Sequence, residues 1–508
     1  MRPFSTEEKK RHMNKQAEQS GLHHDVETTP EAIKPSHVHS HREELVLLVS
    51  LVIFELSLAV MAMAIYVKGE RPFAAFLARP SGAVFLCAAV ALFVAGWVIV
   101  HRYVAGQRLP ARHFRMIVTM NLVTVLFILA MGEIVVRAGS RSHLDGESFM
   151  NVVLKPKNWE RAKERYPHFL EKSRAGRTFF DYDERLGWTL GKNRYREASD
   201  GEGPYWSSVE GLRAAREGFV YGKVERKTDI AILGDSFTFG SEVGYEETWG
   251  AALNRLLGEE FRILNFGVPG YGLGQAYLRY EVDARGWNPK IVILGFISED
   301  LHRTTWVYPF LSTGWDMAFS KPRFVLENGR LTILNRHVLP PQAIFSPRSI
   351  SELPFLDHDS GYRWSHWQTR WYHASYLARL FISLYHPRSR DTHDEQLLPL
   401  NAEILKSFVR SVEQAGSIPL VMYFPSRSDF HQPDSYVPLG KRVLQEAGLP
   451  YVDPTACLLE VPSSLRFASA GHYTSQGNAA IANCLAVAVR EALGKPSDGM
   501  LMAVEKLR

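Results

Sequence analysis

Two residues far apart in the chain carry side chains that could do acyl chemistry together. Ser236 lies in "DIAILGDSFTFGSEV" (Asp229–Val243), and His472 lies in "SAGHYTSQGNAAIA". A serine hydroxyl is a weak nucleophile until a base takes its proton, and a histidine is suited to that role. Ser236 follows an apolar, strand-like run and Gly234-Asp235, and it opens what reads as a helix. The hydroxyl is therefore either a nucleophile presented at the mouth of that helix or simply its cap. Two further stretches bear on the choice. "NFGVPGYGLGQ" follows a second apolar run, and its glycines let backbone N–H groups approach a ligand closely. Ser298-Glu299-Asp300 follows a third run. Backbone N–H groups at Ser236 and at the glycine turn could hold the oxyanion of a tetrahedral intermediate.

These residues need a scaffold that gathers them. Strand-like runs are "DIAILGD", "FRILNFG", "KIVILGF", "IPLVMYF" and "LPYVDP", with helix-like segments at Glu247–Leu257, Gly274–Ala284 and Asn401–Ala415. Continuous apolar strands alternating with helices imply a parallel five-stranded sheet in an α/β fold, covered on both faces. Ligands of such sheets bind outside the carboxyl ends of the strands, where Ser236, the glycine turn, Glu299 and His472 all fall. The alternation breaks once, over 301–394, which reads as an insertion over the top of the sheet. It holds a hairpin pattern turning at Asn328-Gly329 and the Trp/Tyr-rich run "YRWSHWQTRWYHASY". Those aromatics either stack on sugar rings or pack the insertion.

Four blocks in order resemble the SGNH (GDSL-like) hydrolase superfamily over about Phe180–Leu493: "GDSFTFG", "NFGVPGYG", "GFISED" and "GHYTSQGN". Upstream, "YDERLGWTL" and "EGLRAAREG" look like the lead-in of bacterial membrane-anchored members. The resemblance implies a flavodoxin-like fold, Ser236 as nucleophile, His472 as base, and the backbone of Ser236 and Gly270 as oxyanion donors. It also implies neither a metal nor a nucleotide cofactor. The chain departs from the pattern twice. Glu299 stands where the family has an oxyanion-binding asparagine. Either its carboxyl is protonated and donates, or it turns away and pairs with Arg303. The family also places an aspartate two or three residues before the histidine, where this chain has Ser469 and Ala470. Asp453, after the fifth strand, is the candidate to orient His472, and Asp235 is assigned to shaping the serine turn. The implied activity is hydrolysis or transfer of an acyl ester, O-acetyl in first place, on an extracytoplasmic cell-surface glycan. A membrane-bound O-acyltransferase is the implied partner. The other implied role is a catalytically weak or inactive glycan-binding or scaffold subunit of a polysaccharide complex.

The rest of the 508 residues frames this domain. Leu45–Val67, Ala83–Val100 and Met116–Val136 are apolar runs of about the ~20 residues that cross a bilayer, and they predict three transmembrane helices. The connection carrying Arg102, Arg108, Arg112 and Arg115 assigns a cytoplasmic N-terminus. The C-terminal domain is then periplasmic or extracytoplasmic, anchored in the bacterial inner membrane. Residues 1–43 read as a disordered tail, 44–137 as the anchor, 138–177 as a connector, 178–495 as the SGNH-like domain and 496–508 as a tail. The net charge of +5 has no concentrated basic stripe behind it, which argues against nucleic acid as a partner. Cys87 sits in the second apolar run, while Cys457 and Cys484 either pair or remain buried thiols.

Overall fold

The computed structural model describes residues 111–197, 204–222, 227–313, 315–384, 390–433 and 435–494. The N-terminal tail, the first two apolar runs with Cys87, and the C-terminal tail lie outside the described residues.

Four strands make the main sheet: β1 (Thr228–Leu233), β2 (Phe261–Asn265), β3 (Ile291–Phe296) and β4 (Ile418–Tyr423). All pair in parallel, in the order β2-β1-β3-β4. Ile230 shows why: it lies between Ile263 and Ile291, and Ile291 pairs in turn with Ile418. Such β-branched residues suit a strand whose two faces are both covered. Every residue of β3 is buried. Helices Leu273–Val282, Arg390–Gln414 and Leu439–Ala447 cover one face through Tyr280, Phe408 and Leu444. Helices Trp249–Leu257 and Ser475–Ala492 cover the other through Trp249, Leu253, Ile481 and Leu485.

The expected fifth strand is reduced to one bridge, Met422 with Val452. Val452 N–H donates to Val421 O, and Tyr423 N–H donates to Val452 O. Pro450 and Pro454 flank this point, and a proline has no N–H to extend a ladder. Because the chain steps from β1 to β2 and then across to β3, the strand order reverses at the carboxyl end of β1. That reversal is where an open α/β sheet leaves a crevice.

Residues 301–394 hold short helices and the hairpin Arg323–Glu327/Arg330–Leu334. Asn328 and Gly329 turn it with φ of 51° and 75°, the left-handed pair that a tight hairpin requires. Trp367 packs edge-on against Trp159, at 6.1 Å between ring centroids, within a cluster that includes Phe310 and Phe345.

The expectation of three transmembrane helices is corrected. Among the described residues no helix is long and apolar enough to cross a membrane. The third apolar run lies within the helix Ala111–Gly139, and Asn121 and Glu133 interrupt it. Its last turns are engaged by the protein. Glu133 accepts from the backbone N–H groups of Tyr376 (3.0 Å) and Leu377 (2.9 Å) and pairs with Arg137 at 2.7 Å. Burial alone would raise its pKa, but these bonds hold the carboxyl at about 2. Val136 is buried beside Phe149 and Leu154.

Candidate functional site

Sequence dictates how Ser236 is presented. Gly234 takes φ of +153°, a conformation that L side chains rarely adopt, and turns the chain off β1. Asp235 then caps the helix Ser236–Phe239, its carboxylate accepting from Phe237 N at 2.8 Å. The cap is thus Asp235, which leaves the Ser236 hydroxyl free for another partner. That partner is His472, whose Nε2 lies 2.8 Å from Ser236 Oγ. Asp235 Oδ2 is a second and longer contact to the hydroxyl, at 3.3 Å.

His472 is oriented from its other nitrogen. Nδ1 lies 2.8 Å from Glu242 Oε2, a carboxylate the sequence reading missed. The turn before the histidine wraps around that group. Ala470 N (2.6 Å) and Ser469 Oγ (3.2 Å) donate to Oε1, and His472 N donates to Oε2 at 2.9 Å. Burial raises the Glu242 pKa, but the N–H groups of Ala470 and His472 and the imidazole outweigh it, so the carboxyl sits below its ordinary value. The Glu242 side chain is 1 % exposed and that of His472 21 %. The carboxylate therefore acts through a dry contact, while the imidazole still meets the solvent side. An ionised carboxylate only accepts, which assigns the proton to Nδ1 and leaves Nε2 as the acceptor facing serine.

Glu242 is held in place from outside the sheet. It is a non-glycine residue at φ of 69°, in the left-handed region. Its N–H donates to Tyr205 Oη at 2.7 Å. Arg213, fully buried between the rings of Tyr205 and Phe239, donates to the neighbouring Val243 carbonyl at 3.2 Å. Burial pushes the Arg213 guanidinium down to about 10. The available signal was "GSEVG" itself: an acid between glycines in a stretch that is otherwise apolar and small.

Asp453 is not brought to His472. Its carboxylate is taken by Thr455 N at 3.0 Å, by the Thr455 hydroxyl and by Lys441 at 2.6 Å. Glu299 is exposed and makes no hydrogen bond or ion pair with a described residue. Its suggested partner, Arg303, is engaged by others. Arg303 Nη1 donates to Asp300 (2.6 Å), Asp235 (3.2 Å) and the Tyr271 carbonyl (3.0 Å). One buried guanidinium thereby ties the serine turn to the glycine turn. Burial and the neighbouring Asp235 charge push the Asp300 carboxyl well above its ordinary range.

Gly270 precedes that tethered carbonyl, at φ of +83°. A Cβ there would come within 3.0 Å of the Trp315 ring, so only glycine fits without displacement. Ser236 is the first residue of its helix, and its N–H has no intrahelical acceptor. Among the described residues no group of three or more His, Cys, Asp or Glu is placed to hold a metal ion.

Nucleophile, base and orienting carboxylate in a hydrogen-bonded chain, at the carboxyl end of a parallel sheet, is an acyl-transfer arrangement. Residues 230–324 match the family model for GDSL-like lipase/acylhydrolases. The match spans Ser236, Gly270 and Glu299. Comparison with curated proteins gives no match. Among solved structures, the chain is similar to an acetylxylan esterase from Geobacillus stearothermophilus at 14 % identity, covering 54 % of this chain and 98 % of that one, with a TM-score of 0.28. It is also similar to a putative lipolytic protein of the G-D-S-L family from Desulfitobacterium hafniense, at 14 % identity, 51 % and 99 % coverage and a TM-score of 0.26. A carbohydrate acetylesterase family member from Sinorhizobium meliloti gives 12 %, 53 %, 99 % and 0.27. At such scores these likenesses carry no argument about activity.

Proposed function

We propose that the chain cleaves acyl esters through Ser236, and that its ester is an O-acyl group, O-acetyl in first place, on a glycan. The observation that carries this reading is the continuous chain Ser236 Oγ, His472 and Glu242, each link 2.8 Å long. In the reaction Ser236 Oγ attacks the ester carbonyl carbon while His472 Nε2 takes the hydroxyl proton. Glu242 stabilises the imidazolium that forms. The N–H groups of Ser236 and Gly270 receive the oxyanion. Collapse breaks the bond to the alcohol oxygen, which leaves with the proton from His472, and the acyl group stays on Ser236. A second hydroxyl then attacks the acyl-enzyme, gives its proton to His472 and releases serine. Water as that acceptor gives hydrolysis, and a sugar hydroxyl gives transfer.

The proposed setting is extracytoplasmic. A disulfide between Cys457 and Cys484 supports this, since such bonds persist in oxidising compartments. The test is hydrolysis of p-nitrophenyl acetate by the full chain, with Ser236→Ala as control. Mass spectrometry of a quenched reaction should find the wild-type chain heavier by one acetyl group, and the addition should vanish in the variant. Wild-type turnover that Ser236→Ala leaves intact would reject the reading. Faster release of nitrophenol on adding an oligosaccharide acceptor, with acetyl found on the sugar, identifies transfer.

A further inference from the structure

A cavity of about 630 Å³ opens among residues of the segment 301–394 and the long helix Arg390–Gln414. Its walls include Tyr362, Trp364, Arg323, Asp357 and Gln396, and Leu397 contributes to an apolar patch. Trp364 is 50 % exposed, and its ring stacks on no other aromatic among the described residues. Arg323 is partly exposed and brings a guanidinium to the wall.

The cavity wall adjoins in sequence the residue that ties the serine turn to the glycine turn. Arg303, which holds Asp235 and Tyr271, is followed two residues later by Thr305, a wall of the cavity. Two Cα steps span at most about 7.6 Å. The opposite wall is pinned to this stretch. Ser360 N donates to Thr305 O at 3.2 Å, and the Asp359 carboxylate accepts from Val307 N and Tyr308 N at 2.7 Å each. Asp359 also accepts from Gly361 N at 2.8 Å, so its oxygens are spent on the backbone.

We propose that this cavity binds a saccharide unit of the substrate at a distance from the scissile ester. The inference rests on the acyl-ester reading above. A sugar ring has an apolar C–H face and an edge of hydroxyl oxygens. Trp364 offers a surface for the face, and the guanidinium of Arg323 offers N–H donors to edge oxygens. Gln396 and Asp357 add planar polar groups of the kind that fix hydroxyls. The mixed lining suits neither an acyl chain, which wants an apolar tunnel, nor a phosphate, which wants several cations: Arg323 is the only lysine or arginine among the described lining residues.

The experiment compares two substrates on the full chain. One is p-nitrophenyl acetate, which carries no sugar. The other is a set of O-acetylated xylo- and manno-oligosaccharides of several units. Trp364→Ala should leave nitrophenyl acetate kinetics unchanged and raise KM for the oligosaccharide ester about tenfold, with kcat held. Arg323→Gln should move KM the same way, with a melting curve showing that the variant is folded. The cavity proposal is overturned if Trp364→Ala moves neither substrate or moves both in parallel. It is also overturned if no acetylated oligosaccharide exceeds nitrophenyl acetate in kcat/KM. Absence of Ser236-dependent turnover of nitrophenyl acetate itself would instead sink the acyl-ester reading on which the proposal stands.

Discussion

Glu242 and His472 stand 230 positions apart in the chain and meet at 2.8 Å, through Oε2 and Nδ1. In the family that this chain resembles, the orienting acid comes from the turn just before the histidine. Here that turn contributes donors instead: Ala470 N, Ser469 Oγ and His472 N all point at Glu242. The acid here comes from the loop after the nucleophile's helix, and the histidine turn is its socket. Both halves of the contact lie at the carboxyl end of the sheet.

Glu242→Gln keeps the shape of that contact and removes the charge that stabilises the imidazolium. Its kcat on p-nitrophenyl acetate should fall by roughly 10³-fold with KM little changed. Glu242→Asp should recover part of the loss, because a carboxylate remains near the socket. Since Glu242 acts through His472, the decisive readout is the split between kcat and KM: kcat falls while KM holds. Unaltered kcat would show that the contact is structural only.

Glu299→Gln should do almost nothing. The side chain is exposed and makes no hydrogen bond or ion pair with a described residue, while Asp300 and Asp235 hold Arg303. Its melting temperature and its kcat on nitrophenyl acetate should both stay close to wild type, as for surface substitutions generally. A rate gain of about tenfold or more, equivalent to ~1.4 kcal/mol in the barrier, would return this position to the oxyanion site.

Much of this was legible in the sequence because the signals were local. The apolar runs of β1 to β4, the glycines at the turns and the Asn328-Gly329 hairpin each follow from short-range preferences. Ser236 and His472 were readable because each ends or follows such an element. Glu242 was not, because its partner lies on a segment far away in sequence. Only the packing of the 468–472 turn against the loop after Phe239 brings them together. Asp453 looked suitable by its place after a strand, yet Lys441 and Thr455 had already claimed it. The third apolar run misled for a different reason. Composition reports how much apolar surface a helix carries, whereas Glu133 is bound by the start of the helix Tyr376–Leu384.

Arg303→Met tests the link between the serine and glycine turns. Removing the guanidinium leaves Asp235 and Asp300, both about 1 % exposed, without their cation. Breaking a buried pair from one side typically costs about 3–5 kcal/mol, so the urea midpoint should fall markedly. Arg303→Met/Asp235→Asn, which also removes the second carboxylate on the guanidinium, should recover part of that loss. If the double variant is as unstable as the sum of the two single ones, the charges are not coupled.

Reduction should loosen the histidine side of the site. Cys457 and Cys484 join the helices Thr455–Glu460 and Ser475–Ala492, which flank the His472 turn, across 27 positions of sequence. Closing a loop of that size is worth roughly 3.5 kcal/mol through the unfolded state. Dithiothreitol, or the Cys457→Ser/Cys484→Ser variant, should therefore lower the melting temperature. An unchanged melting curve after verified reduction would contradict this.

Lys321 gives the fold a pH dependence whose sign can be worked out. The residue is 2 % exposed, and burial pushes its ammonium down to about 7, with Arg323 and Arg303 adding to the shift and Asp359 opposing it. An unfolded lysine keeps its ordinary value of 10.5. Between about 7 and 10.5 the unfolded chain therefore binds a proton that the folded chain does not. Stability from this group rises with pH across that window and is flat below it, where both states are protonated. Lys321→Met keeps the length of the side chain and removes the charge. It should stabilise the protein most at pH 7 and below, by on the order of a few kcal/mol, with the gain shrinking as the pH is raised toward 10. Urea unfolding of both proteins at several pH values measures this directly. A loss of stability that is equal at every pH would mean that the ammonium is not held neutral.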